Sequence, residues 1–352
     1  MKSTVKKIMP AKAVRIITGK VPQAKLSLSI KVVEVFSRTK FLSSVYYIFN
    51  PEFRRETHSV MKGKLEHLKS FQAETSNYYL LRRNIHRLEK GLLMSPRRDI
   101  FGASFILETV KCFNYLKDLY PKDEQITWAN DVLTEYFAVT VSQKDRDKAE
   151  RLFQPLEERE TNKKPYQRNG DIELRTSIED LQVLAQHRRS VRWFRPGKVE
   201  QEKIDKAMQV AAQAPTACNR QPYYFKIIQN EELLRKAVDI PMGTKGFSHN
   251  INNLAIVIGD LSAYPFERDR HLIYIDSSLA VMSFLFALES QQVSSCVLNW
   301  PDIAIKEEEV KKQFNLKDSE RVIMFIAFGY PNYDEKVAFS QKKELDRLRT
   351  FS

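Results

Sequence analysis

Apolar positions follow two rhythms along this chain, and the change between them marks a change in architecture. From residue 61 to 153 they return every three or four places. "YYLLRRNIHRLEKGLLM" puts Leu80, Ile85, Leu88 and Leu92 on one broad face with Arg and Glu opposite, the stripe of an amphipathic helix. "SFILETVKCFNYLKDLY" repeats the pattern until Pro121 ends it.

Beyond residue 175 helical and strand-like patterns alternate. "TSIEDLQVLAQHR" opens on Ser177 and Asp180, a capping-box pair, and predicts a helix. "EQEKIDKAMQVAAQA" predicts a second, stopped by Pro215. "YYFKIIQ" (223–229) is β-rich, "EELLRKAV" is helical, and "LAIVIGD" (254–260) has the unbroken apolar run of a buried strand. "IYIDSSLAVMSFLFALESQQ" (273–292) is a long helix, apolar nearly all round, and so must be buried on several sides. "SCVLNW" is a short strand, "KEEEVKKQF" a surface helix, and "RVIMFIAFGYP" (321–331) a core strand leaving through Gly329 and Pro331. Strands this irregularly spaced exclude a repeating doubly wound sheet.

Between the two regimes "LEERETNKKPYQRNGDIE" (156–173) is polar and broken by Pro165 and Gly170, the composition of a linker. Three regions follow: a basic arm over 1–60, a helical region with its linker over 61–170, and an α-and-β domain over 171–352.

Charge sharpens that division. Of the formal +13, residues 177–352 hold 24 basic against 23 acidic side chains, whereas residues 1–60 alone hold 12 against 3. A polycationic arm is either a solvated tail or a surface for an anionic partner. "KLSLSIKVVEVF" and "KFLSSVYYIF" interleave Lys with apolar and aromatic residues, a mixture suited to an anionic membrane surface rather than to nucleic acid. No stretch has the roughly 18 uninterrupted apolar residues of a membrane span, and the first twenty residues lack the apolar core of a secretory signal. Three scattered cysteines, Cys112, Cys218 and Cys296, form no CxxC, and six dispersed histidines form no HxxxH or HExxH pair. The expectation is a protein of the cytoplasm, with no metal centre, peripheral to the inner membrane face through its arm.

Candidate chemistry begins at "RRSVRWF" (188–194). Guanidinium forks match phosphate oxygens bidentately and a hydroxyl adds a further donor, so Arg188, Ser190 and Arg192 suit a phosphate; a solvated basic helix end is the plainer alternative. With ten glycines in all, and neither GxGxxG nor GxxxxGK[ST], a bound phosphate must be held by side chains. "AAQAPTACNRQPYYF" (211–225) joins a helix to a strand through a turn whose Thr216 and Asn219 suit the edge of a heterocycle, or else stabilise their own loop.

These two stretches, with "DSSLAVMSFLFALESQQVSSCVLNW" and "IAFGYP", resemble in order and spacing the nitroreductase family of FMN-dependent oxidoreductases, over about residues 180–350. The resemblance implies an α+β fold: a mixed β-sheet flanked by helices, assembled as a homodimer with two FMN molecules in the subunit interface, and here preceded by a helical N-terminal region. The helix at 273–292 then becomes the interface helix. By position, Arg188, Arg189, Ser190 and Arg192 match the phosphate and pyrimidine end of the FMN site. Pro215, Thr216 and Asn219 match a Pro-Ser-x-x-Asn turn that reaches the flavin from the partner subunit. Leu298, Asn299 and Trp300 fall where the family's loop approaches the flavin N5. Lys342 or Lys343 adds a phosphate contact, although the family more often has Arg followed by Lys-Pro there. The implied activity is ping-pong hydride transfer from NADH or NADPH through N5 to a small-molecule electron acceptor, a nitro compound, a quinone or another, with no side chain as acid–base catalyst.

This chain departs from the pattern in three places. Thr216 replaces the usual Ser and keeps a hydroxyl. Cys218 lies inside the turn, without a neighbouring His, as a small packing residue. "CVLNW" lacks the family's glycines, implying a narrower pocket over the flavin. "LRRNIHRLEKGL" (81–92) resembles extended bacterial members of the family; within it His86 and Glu89 are spaced for acid–base work or for an ordinary surface ion pair. Two other uses of the same fold stay open: a flavin-dependent dehydrogenase or flavin-cleaving enzyme, and a membrane-tethered module that only binds flavin.

Overall fold

The computed structural model describes residues 23–72, 77–156, 161–168, 170 and 172–351, so the start of the basic arm and parts of the linker lie outside the described residues. The chain divides into two compact units, residues 1–58 and 59–352.

In the first unit, α1 (Gln23–Ser37) and α2 (Lys40–Phe49) form a helical hairpin, followed by a 3₁₀ turn at Pro51–Phe53. The Thr39 hydroxyl caps α2 by accepting from Leu42 N at 3.1 Å. Phe36 packs on Tyr46 and Tyr47 on Phe53, with ring centroids 5.5 and 4.6 Å apart. So few inward residues cannot cover the rest of the apolar surface. Ile30, Val33, Phe41, Ile48 and Phe49 stay exposed, Phe41 at 75% and Phe49 at 79%.

The second unit begins within α3 (Arg54–Gln72) and continues through α4 (Tyr78–Leu92), α5 (Ala103–Leu119), α6 (Glu124–Val139) and α7 (Lys144–Leu152). Leu81, Ile85 and Leu88 of α4 close on Ile106, Val110 and Phe113 of α5 and on Val132 and Leu133 of α6 as one apolar core. Leu80 is buried and Leu92 packs against that core, as the heptad-like spacing predicts. α3 lies against Leu261: a Cβ on Gly63 would meet Leu261 atoms at 2.7 Å, so the helix approaches this closely only through glycine.

The remaining elements are α8 (Ile178–His187), α9 (Gln201–Ala211), β1 (Tyr223–Ile228), α10 (Glu231–Val238), β2 (Asn253–Asp260), α11 (Leu272–Glu289), β3 (Ser294–Leu298), α12 (Ala304–Phe314) and β4 (Glu320–Gly329). The sheet has the order β1-β2-β4-β3, antiparallel at every pairing, and an isolated parallel bridge from Ser190 to Ser295 supplies its parallel part. Helices cover both faces, which is why β2 is buried along its whole length. Its side chains alternate as the pleat requires: Leu254, Ile256 and Ile258 enter one core, Ala255 and Val257 the other. On β4 the alternation breaks once. The register with β2 shifts between Val257 and Ile258, leaving Ile323 as the extra residue of a bulge, so Val322, Phe325 and Ala327 share the first core while Ile323, Ile326 and Phe328 share the second.

α9 ends at Ala211, four residues before the proline expected to stop it. Gln213 N and Ala214 N instead bond to carbonyls three residues back, a tightened last turn that brings the chain to Pro215. α11 is long and apolar enough to cross a membrane by length and composition, the one such helix among the described residues, yet Asp276, Ser277, Ala280, Phe284 and Leu288 are buried inside the protein. It is a core helix that leaves one apolar stripe, Ile275, Leu279 and Met282, exposed.

Candidate functional site

The basic stretch starts where α8 ends. The Ser177–Asp180 capping box forms and fixes the helix start, and Arg188 caps its other end through its backbone N–H. The chain then runs extended, bridging Ser190 to Ser295 and Phe194 to Pro331, with Val191 and Phe194 buried in the core. Between these anchors the Ser190 and Arg192 positions stay exposed. A cavity of about 330 Å³ lies beside them, lined by His187, Arg189, Arg192, Trp193, Glu289 and Ser294 among others.

The electrostatics of this cavity are mixed. Arg189 donates to the carbonyls of Ala338 and Phe339, tying down the C-terminal segment. Arg192 donates only to the Ser190 carbonyl at 3.3 Å and sits over the Phe247 ring. Among the described residues, the buried Nε of Arg188 has no hydrogen-bond partner. Glu289, 5% exposed, lies 2.8 Å from His187 Nδ1 and accepts from the Ser294 hydroxyl, while its second oxygen has no partner among the described residues. Burial holds its carboxyl above the ordinary range, against the opposing hydrogen bond from His187. Arg189 and Arg192 line the cavity, whereas Arg188 and Ser190 do not; the unpartnered guanidinium nitrogen of Arg188 is a donor of the kind an anion would complete.

The second stretch is the turn between α9 and β1. Cys218, Asn219 and Gln221 have φ of 54°, 52° and 50°, the left-handed region that non-glycine residues avoid, so bonds from outside must hold it. Thr216 Oγ1 accepts from Gln221 N at 3.1 Å, and Ala217 N donates to buried Asp276 of α11 at 3.0 Å. Arg82 of α4 donates from Nε to the Asn219 carbonyl at 2.7 Å and from a terminal nitrogen to Asn219 Oδ1 at 3.1 Å. Pro215 is exposed at the head of the turn, and Cys218 is a half-buried free thiol.

Leu298 is buried at the end of β3, Asn299 is exposed, and Trp300 donates to Glu307 at 2.6 Å while packing on Phe325. Lys342 and Lys343 are exposed on the C-terminal segment and do not line the cavity.

The structure thus joins Arg188, Arg189, Ser190 and Arg192 at one corner of the sheet and Pro215, Thr216 and Asn219 at the diagonal corner. Ser190 flanks β3 beside Ser295, which pairs with Phe328, whereas Tyr223 pairs through Gly259 to Arg321. Crossing four strand spacings of about 4.8 Å and seven residues of about 3.4 Å separates the corners by roughly 30 Å. Sequence reasoning missed three contributors. Asp276 left a signal, an acid inside a largely apolar helix; Arg82 left none, since its partner Asn219 is distant in the chain, and neither did Glu289, whose tie to His187 spans 102 residues of sequence. His86 lies 3.2 Å from Glu89, which accepts from Trp128, so the pair joins a helix–helix network rather than a cavity.

Residues 185–245 and 253–330 match the family described as "Nitroreductase family". A protein of Archaeoglobus fulgidus named "Putative NADH dehydrogenase/NAD(P)H nitroreductase" is 27% identical over 169 residues, 45% of this chain and 89% of that one. An "Iodotyrosine deiodinase" of Thermotoga neapolitana is 27% identical over 190 residues, 49% of this chain and 98% of that one. Among solved structures, a protein of Bacteroides thetaiotaomicron VPI-5482 named "Putative NADH dehydrogenase/NAD(P)H nitroreductase" is 24% identical, with a TM-score of 0.43, covering 50% of this chain and 98% of its own.

Proposed function

We propose, from the premise that residues 185–330 are a nitroreductase-family domain, that this protein is an FMN-dependent oxidoreductase working as a homodimer with NADH or NADPH as reductant. When bound, FMN would supply hydride transfer between a nicotinamide and a small-molecule acceptor. The chain binds, orients and shields. Arg188 and Arg192 neutralise the phosphate with Ser190 as a further donor, Asn219 presents its amide to the heterocycle, and Trp300, stiffened by Glu307 and Phe325, walls the pocket near Leu298 and Asn299.

One observation carries the reading: the two binding stretches occupy corners roughly 30 Å apart in a single chain, farther than a ribityl chain reaches. A site using both must take one from each of two chains. The exposed stripe of Ile275, Leu279 and Met282 on α11 supports such an assembly, because contiguous apolar surface of this kind marks an interface. Relatives of this chain are named for different reactions, which supports an acceptor chosen outside the flavin site.

The basic arm adds an anionic membrane surface as partner. Its hairpin exposes Phe41, Ile48 and Phe49 beside Lys and Arg, so apolar insertion and charge attraction act together. The test of the enzyme reading is the visible spectrum and sedimentation of freshly purified protein. A yellow dimer with one FMN per chain that oxidises NADH or NADPH is expected; a colourless monomer that takes up no added FMN overturns it.

A further inference from the structure

α4 lies outside the residues matched by the family, yet it reaches into the candidate site. Arg82 meets Asn219 across 137 residues of sequence, with Nε bonded to the carbonyl and a terminal nitrogen to Oδ1. Its remaining nitrogen donates to Gln125 of α6 at 2.8 Å, and the guanidinium lies 5.6 Å from the Trp128 ring centre. The fork is therefore fixed before it meets the turn.

A guanidinium can only donate, so the Asn219 atom facing it must be the oxygen, and the amide nitrogen is turned the other way. Among the described residues no protein acceptor takes the Nδ2 hydrogens. The turn also holds Cys218, Asn219 and Gln221 at positive φ, conformations that persist only when surrounding contacts over-determine them. Asp276 holds it from the α11 side through Ala217 N, and Arg82 from the α4 side.

We propose that Arg82 is a positioning residue: the helical N-terminal region locks the 216–221 turn through it, so that Asn219 offers amide hydrogens to acceptor atoms of the flavin. The locking stands on the contacts above; its service to flavin rests on the proposed function.

Two measurements on the full-length protein test it. FMN titration of apo-protein by fluorescence quenching should give about tenfold weaker binding for R82A and for N219A. The double variant should bind no worse than N219A, because Arg82 acts through Asn219. Hydrogen exchange on flavin-free protein should show the 217–221 amides exchanging faster in R82A, without loss of protection in the sheet. R82K, which keeps a charge but not the fork, should recover only part of both effects and stands in if R82A does not fold. Wild-type affinity in R82A while N219A is weakened, additive losses in the double variant, or unchanged exchange at 217–221 would each overturn the proposal. If wild-type protein binds no flavin, the enzyme reading fails instead, and exchange alone decides the lock.

Discussion

Replacing Leu279 of α11 with alanine isolates the contribution of the exposed stripe to assembly. Leu279 is 45% exposed, so its inner half already packs in the protein core and its outer half is what a partner would cover. Full burial of a leucine contributes roughly 1.5–3 kcal/mol, which makes the outer half worth about 1 kcal/mol. A two-fold interface uses the residue once from each chain, giving about 2 kcal/mol, or roughly thirtyfold in the dimer dissociation constant. Adding Met282→Ala, at a residue 38% exposed, should bring the loss near a thousandfold. The fold should survive both changes, since alanine is the best helix former and both side chains are exposed on the helix surface. Sedimentation over a dilution series reads the constant. Unchanged self-association in Leu279→Ala/Met282→Ala, with wild type a dimer, would refute the assignment of this stripe to the interface.

Two further predictions concern charge. Burial raises the Glu289 carboxyl, and a raised folded value favours the neutral form: its stabilising share is complete below the unfolded value of about 4 and is lost as pH climbs through the folded one. Melting curves of wild type should therefore decline relative to Glu289→Gln as pH rises from about 4, and parallel curves would contradict the burial argument. Deleting residues 1–58 should abolish sedimentation with anionic vesicles, and salt should release the intact protein, each nearby basic residue contributing about 1 kcal/mol; equal sedimentation with and without the arm would contradict the membrane reading.

The fold was legible in the sequence wherever a local pattern decided it. The unbroken apolar run of β2, the Ser177–Asp180 cap and the Ile85, Leu88 and Leu92 stripe each answer to neighbours a few residues away. The bulge at Ile323 was not legible, because it depends on the register of β4 against β2 and "RVIMFIAFG" alternates no differently without it. The same limit applies to the site. "RRSVR" and the Thr216–Asn219 turn announce themselves by composition, whereas Arg82 is one of several arginines on an amphipathic helix until folding sets it against Asn219. Glu289 ended a helix in the sequence and became a buried wall of the cavity only through the strand that follows it.

Mixing two defective chains tests the shared site most directly. Arg188→Ala removes the phosphate corner and Asn219→Ala the turn corner, and each homodimer should bind FMN at least about tenfold more weakly than wild type. Unfolding is unnecessary; subunit exchange at equal concentrations yields heterodimers as half of the population. In each heterodimer one site carries both defects and the other neither, so about a quarter of all sites should regain wild-type affinity in an FMN titration. A mixture that binds FMN no better than its two components would contradict a flavin site divided between chains.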